Sequence, residues 1–362
     1  MTFADALVPV EGWIADGVIR RAAAVVLHDG VVVAERYWGD AADGHPIDAG
    51  TLLPFASLTK PVVATAVLRL VERGTLSLAV ALGDVLPDAP APWGRITVAQ
   101  LLTHTAGFPE FVPGAAELEA RLAPASDYVR AALGAAPAFP AGTQVLYSNP
   151  GFQVLGAMVE RTVRADIAEV LEREAIGPLG LARATMRPLA RPGARTARTE
   201  LGARGGDPRS EIYNSAYFKR LARADAGLFA APRDIARLLE TYRLDGAGAL
   251  RPETARDAVT SHTAGLPGRY GAYEWPSCDF GWSWEIRDGK SPHPTGARTS
   301  PRTFGHLGGS GALAFCDPER ALSVVIHTLR DFGDGWATRR PYLTRLAGAL
   351  VDAADSARPR GA

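Results

Sequence analysis

Lysine is scarce in this chain. Of its 39 basic residues only Lys60, Lys219 and Lys290 are lysines, and the rest are arginines. Cysteine is scarcer still: Cys278 and Cys316 lie far apart, with no Cys-x-x-Cys spacing, so zinc-knuckle and redox motifs are excluded and free thiols are expected. Net charge is absent, which removes the electrostatic case for nucleic acid or an anionic membrane as main partner and leaves a small molecule. Long apolar runs are also missing. The best, Val62 to Val71, is broken by Arg69 and is about half of what a membrane span needs. The first nineteen residues contain neither Lys nor Arg and no signal-like apolar core, which reads as a cytoplasmic protein. Seven histidines occur without a His-Glu-x-x-His helix or other ligand spacing, so no metal and no cofactor are expected.

One of the three lysines stands in Ser57-Leu58-Thr59-Lys60. Arginine keeps its proton at any physiological pH, whereas a buried lysine can lose it and act as a base. If a helix begins here, residues three apart share a face, and Lys60 lies beside the Ser57 hydroxyl as base beside nucleophile. Val62, Val63, Ala66, Val67, Leu70 and Val71 recur at helical intervals and Gly74 supplies a stop, which predicts a largely buried helix from Ser57 to Arg73. Pro61 is tolerable only in its first turn and so pins the start near Ser57, at the positive end of the helix dipole.

Residues 22 to 38 form two β-rich runs around Asp29-Gly30, a favoured hairpin turn, and Ala6 to Ile19 carries loose helical spacing. From about 80 to 245, helical stretches alternate with Pro- and Gly-containing loops. Strand patterns return at Phe280 to Ile286, Thr303 to Cys316 and Ala321 to Leu329, before a final helix from Ala337 to Ala354. Strands at both ends around a helical block predict an α+β protein: an antiparallel sheet flanked by terminal helices, from residues 1–80 and 246–362, with a mostly helical insertion at 81–245. The active site is expected between these lobes. The Arg-rich segment Arg187 to Arg223 reads as a solvated loop, with a lid or an anchor for an acidic substrate as the alternative.

Two further motifs accompany the Ser-Lys pair: Tyr147-Ser148-Asn149, and His306-Leu307-Gly308 followed by Gly309-Ser310-Gly311. With them the chain resembles the serine β-lactamase and penicillin-binding-protein superfamily, and within it the class C-related branch that includes family VIII carboxylesterases. Leu101-Leu102-Thr103-His104-Thr105-Ala106-Gly107, Pro178-Leu179-Gly180-Leu181 and Phe280-Gly281-Trp282 look like the same family, in order. The resemblance implies an α/β domain built from both chain ends with an inserted α domain. It also implies roles: Ser57 as nucleophile, Lys60 as base, Tyr147 as proton relay, and Asn149 as amide donor to a substrate carbonyl. The backbone of Ser57 and of the Gly308-Gly309 stretch would form the oxyanion hole, with the Gly309 N–H as donor, and His306 would stand where many relatives carry lysine. His104, although in a family string, reads as structural, because nothing in the sequence ties it to the reaction.

The third motif departs from Lys-Thr-Gly, whose amine and hydroxyl suit a β-lactam carboxylate. His306 and Leu307 offer neither, which shifts the expected substrate to a small acyl ester, with weak β-lactamase activity at most. The expectation is thus a serine carboxylesterase working through an acyl-enzyme. The alternatives are a D-amino-acid amidase or peptidase, an acyltransferase, or a non-enzymatic acyl sensor that deacylates slowly.

Overall fold

The computed structural model describes residues 1–200, 212–270, 273–330 and 342–357. Eleven strands are named here in chain order: β1 (Ala22–His28), β2 (Val31–Trp38), β3 (Leu53–Ala56), β4 (Val145–Leu146), β5 (Leu228–Ala230), β6 (Gly268–Tyr270), β7 (Tyr273–Trp275), β8 (Glu285–Ile286), β9 (Phe304–Gly308), β10 (Ala312–Asp317) and β11 (Leu322–His327). The main sheet is antiparallel with order β2-β1-β11-β10-β9-β8, so both ends of the chain build it. Asp29 (φ 50°) and Gly30 (φ 77°) both take the left-handed backbone of a type I′ turn, as the Asp-Gly pair predicts.

Alternation along β1 decides which layer each side chain enters. Ala22, Ala24 and Val26 join Leu313, Phe315, Val324 and Ile326 under the terminal helices Phe3–Leu7, Pro9–Ala15 and Tyr342–Ala357. Ala23, Val25 and Leu27 face the opposite core with Ala314, Cys316 and Val325. The predicted N-terminal helix is two short ones, because Pro9 cannot donate within a continuous helix and instead starts the second. The predicted last helix runs from Tyr342 to Ala357, and its expected start at Ala337 lies outside the described residues. The stretch Thr303 to Cys316 is two strands, not one: Gly309, Ser310 and Gly311 (φ 103°) turn the chain between β9 and β10.

Among the described residues, 81 to 231 carry short helices and one long one, Asn149–Val163. The helix Pro232–Arg243 packs on β1, β10 and β11, where Glu240 accepts from Ser323 Oγ at 2.6 Å and the Tyr242 hydroxyl meets Thr65 Oγ1 at 2.7 Å. β3 stands apart from the main sheet and pairs with β5, while β4, β6 and β7 form a third small sheet. Part of the Arg187 to Arg223 segment, 201–211, lies outside the described residues. No helix among the described residues is long and apolar enough to cross a membrane.

Candidate active site

Ser57 sits in the turn between β3 and the helix Thr59–Glu72, two residues ahead of that helix rather than as its first residue. Ala56 takes φ 46°, a left-handed conformation costly for a residue with a Cβ, and so turns the chain sharply before the serine. Thr59 locks this turn: its hydroxyl donates to Ala56 O at 2.6 Å and accepts the Leu228 N–H at 2.9 Å. Ser57 remains half-buried, whereas its helical neighbours are buried.

Lys60, one turn on, is fully buried. Nζ donates to Asn149 Oδ1 at 2.7 Å and to the backbone oxygen of Asp225 at 2.8 Å, and stands 4.8 Å from the Tyr147 ring centroid. Burial is the main force lowering its pKa to about 7; Asp225 pulls it back up and Arg223 pushes it further down. Arg223 and Asp225 are themselves paired, through Nε–Oδ1 at 3.0 Å and a second bond of 2.8 Å, with Gln153 Nε2 donating to Oδ1 at 3.1 Å. Burial alone would raise the Asp225 pKa, but Arg223 holds it below the usual carboxylate value. The lysine therefore faces a compensated pair, not a bare carboxylate. Neither partner was legible in the sequence, since 165 positions separate Lys60 from Asp225.

Asn149 opens the helix Asn149–Val163, behind the Ser148 cap whose hydroxyl accepts the Gly151 N–H at 3.1 Å. Because ammonium only donates, the Asn149 oxygen must face Lys60, and Nδ2 then donates to Glu110 O at 3.2 Å, leaving its second hydrogen free. Tyr147 is buried, and burial raises its pKa well above 10. The Ser57 hydroxyl faces the phenol and favours its ionised form, but falls short of a full hydrogen bond, so Tyr147 Oη is a buried polar atom with no partner. Its ring packs between His104 (4.6 Å) and Tyr270 (4.6 Å), with His306 at 5.7 Å.

His306, on β9, is buried and its pKa falls to about 3, first through burial and then through Lys60. Nδ1 donates to Leu307 O at 2.6 Å, which leaves Nε2 unprotonated and without a hydrogen-bond partner. Tyr270 accepts the Leu307 N–H at 2.8 Å, a contact sequence reasoning missed. Gly308 is required for close approach: a Cβ there would lie 2.5 Å from Phe55 O. Ser310 Oγ donates to Pro54 O, which also meets His327 Nε2 at 2.9 Å. The β9–β10 turn is thereby stapled to β3, and Gly309 within it is exposed.

The structure thus brings Lys60, Tyr147, Asn149 and His306 together beside the Ser57 turn, with Gly308, at the end of β9, packed against Phe55 and Gly309 following it. The fold is that of the β-lactamase and transpeptidase class of serine hydrolases. The chain belongs to the Beta-lactamase family, whose model matches residues 10–349. It is similar to Esterase EstB of Burkholderia gladioli, 29% identical over 349 residues that cover 85% of each chain. Among solved structures it resembles EstCE1, a hydrolase with promiscuous acyltransferase activity (22% identity, TM-score 0.76, 96% of this chain and 98% of that one). A penicillin-binding-protein homologue from Caulobacter crescentus has the same fold (24% identity, TM-score 0.76, 97% of each chain).

Proposed function

We propose that the chain hydrolyses small acyl esters through an acyl-enzyme on Ser57. The observation that carries this reading is Lys60: a fully buried amine with its pKa lowered to about 7, held by Asn149 against the Tyr147 ring. About half of such amines are neutral at pH 7 and able to accept a proton. Ser57 Oγ bonds to the ester carbonyl carbon as its proton passes to Lys60. The carbonyl electron pair moves onto oxygen, held by the Ser57 and Gly309 N–H groups, each worth about 2.7–4 kcal/mol in such sites. As that pair returns, the bond to the leaving alcohol breaks and Tyr147, a neutral phenol at this burial, gives the alkoxide a proton and regains one from Lys60. Water then attacks the acyl-enzyme with the same groups in reverse order.

Three observations favour an ester. His306 is a neutral acceptor and Leu307 carries no hydroxyl, so this stretch offers a substrate carboxylate no charge. EstB, the relative at 29% identity, is named an esterase. The free Asn149 hydrogen suits a carbonyl acceptor without requiring an anion. The reading includes a small-molecule substrate, a cytoplasmic setting, and a sheet lobe whose second segment starts at Pro232 rather than at 246, since that helix packs on the sheet.

The test is to incubate wild type, Ser57→Ala and Lys60→Ala with p-nitrophenyl butyrate, D-alanine p-nitroanilide and nitrocefin, following release and intact mass together. Butyrate turnover lost in both variants is expected. Turnover of the anilide alone would replace the esterase by an amidase, and stable acylation without turnover by a sensor. Activity surviving in Ser57→Ala would remove Ser57 as nucleophile.

A further inference from the structure

The extended segment that carries Tyr147, β4 and the two residues after it, is held on both edges, and only one edge is a strand. On one side Val145 N–H and Tyr147 N–H donate to Pro267 O (2.9 Å) and Arg269 O (3.1 Å) beside β6. The alternate N–H groups, on Leu146 and Ser148, point the other way and need acceptors of their own. Both acceptors belong to one residue. Leu146 N–H donates to His104 O at 3.0 Å, and Ser148 N–H donates to His104 Nδ1 at 3.1 Å. A single residue, through its carbonyl and its ring, so replaces the missing neighbour strand.

We infer that His104 is the positioning residue for Tyr147, its ring nitrogen Nδ1 fixing the backbone on which the phenol is aimed at Ser57; this rests on the role proposed above for Tyr147. The geometry is specific. His104 takes φ 58°, which turns its carbonyl and its ring toward the same edge. The ring lies against Tyr147 (4.6 Å), Phe152 (5.2 Å) and Phe280 (5.1 Å), so it packs the phenol as well as bonding beside it. Because Nδ1 accepts, the ring proton must be on Nε2, which is buried and has no hydrogen-bond partner. Protonating Nδ1 would destroy the bond to Ser148. Burial opposes that first, and the nearby Lys60 and His306 oppose it further, with Phe152 and Phe280 closing the remaining sides.

Asparagine and leucine are nearly isosteric, and the asparagine Oδ1 can stand in for Nδ1 while leucine offers no acceptor. The acylation rate constant with p-nitrophenyl butyrate should fall about 100-fold in His104→Leu with KM within about twofold, the scale of a misplacement near 1 Å. His104→Asn should recover to within about fivefold of wild type. In a Tyr147→Phe background, His104→Leu should cost less than about threefold more. Wild-type rates in His104→Leu, an asparagine no better than leucine at equal melting temperature, or an undiminished leucine effect in Tyr147→Phe would each overturn the inference. Tyr147→Phe with wild-type rates would instead sink the relay, and a His104→Leu loss persisting in that background would sink the positioning role separately. Nitrogen-15 NMR of histidine-labelled wild type decides the matter without variants: the His104 ring should be the Nε2–H tautomer with Nδ1 as acceptor, unchanged from pH 5.5 to 9. An imidazole titrating in that range would refute it.

Discussion

If Lys60 is the base proposed above, the pH dependence of acylation should follow its buried amine. With a pKa of about 7, the neutral fraction of the amine rises from roughly 10% at pH 6 to roughly 90% at pH 8. The kcat/KM for p-nitrophenyl butyrate should climb about tenfold between those values and then flatten. An ordinary lysine near 10.4 would leave the rate climbing beyond pH 9. The two partners behind Lys60 give the stricter test because they act with opposite sign. Arg223→Gln removes a cation that drives the proton off Lys60 and leaves Asp225 uncompensated, so the limb should move up by about 1–3 pH units. Activity at pH 7 would then drop by about fivefold for a one-unit shift and about 500-fold for three, and return as the pH passes the raised value, between about 8 and 10. Asp225→Asn keeps the backbone oxygen that holds Nζ but removes the anion, so its limb should move down. Stopped-flow acylation bursts across pH 5.5 to 10 separate this step from deacylation. A flat wild-type profile from pH 6 to 9, or both variants shifting the same way, would refute the assignment of Lys60 as base.

Gly308→Ala should abolish most ester turnover, by about 10²–10³-fold, because its Cβ meets Phe55 O and pries the β9 end from β3; an active alanine variant would show that Gly309 is not an oxyanion donor. Lys290→Met should lower stability by about 3–5 kcal/mol in urea unfolding, since it leaves Glu285 buried beside His293 alone. Burial would raise the Glu285 pKa, but His293 and Lys290 hold it at about 2, so this stability is present above pH 4.5 and is lost as pH falls toward 2. The Lys290→Met penalty should therefore shrink with acidification across that window. Combining His306→Lys with Leu307→Thr should raise nitrocefin acylation relative to butyrate turnover, measured as a ratio of burst rates, because it restores a cation and a hydroxyl at the end of β9.

What could be read from the sequence was local or periodic. The Asp29-Gly30 turn, the buried face of the helix after Ser57 and the Gly74 stop each depend on residues within a few positions of one another. The Ser57, Tyr147 and His306 motifs could be found because each keeps its own short spacing. Long-range pairings to single backbone atoms left no such mark. Asp225 serves Lys60 through its carbonyl, which any residue has, and Tyr270 reaches Leu307 across 37 positions. His104 stood in a family string but carried no visible task, since its bond is to a backbone N–H 44 positions away. Lys290, the other buried lysine, had no role legible in the sequence, and the structure pairs it with Glu285, which also meets His293.

The staple between Pro54 and Ser310 also dictates when the candidate site can exist. The serine turn is made early during synthesis, but the residue that fixes the facing turn follows 256 positions later. Until β9, β10 and β11 have left the ribosome and β11 has paired with β1, the Ser57 turn has no opposite wall. On the mechanism proposed above, nascent and prematurely terminated chains would be chemically silent, and acyl transfer would begin only once the two ends of the polypeptide have met.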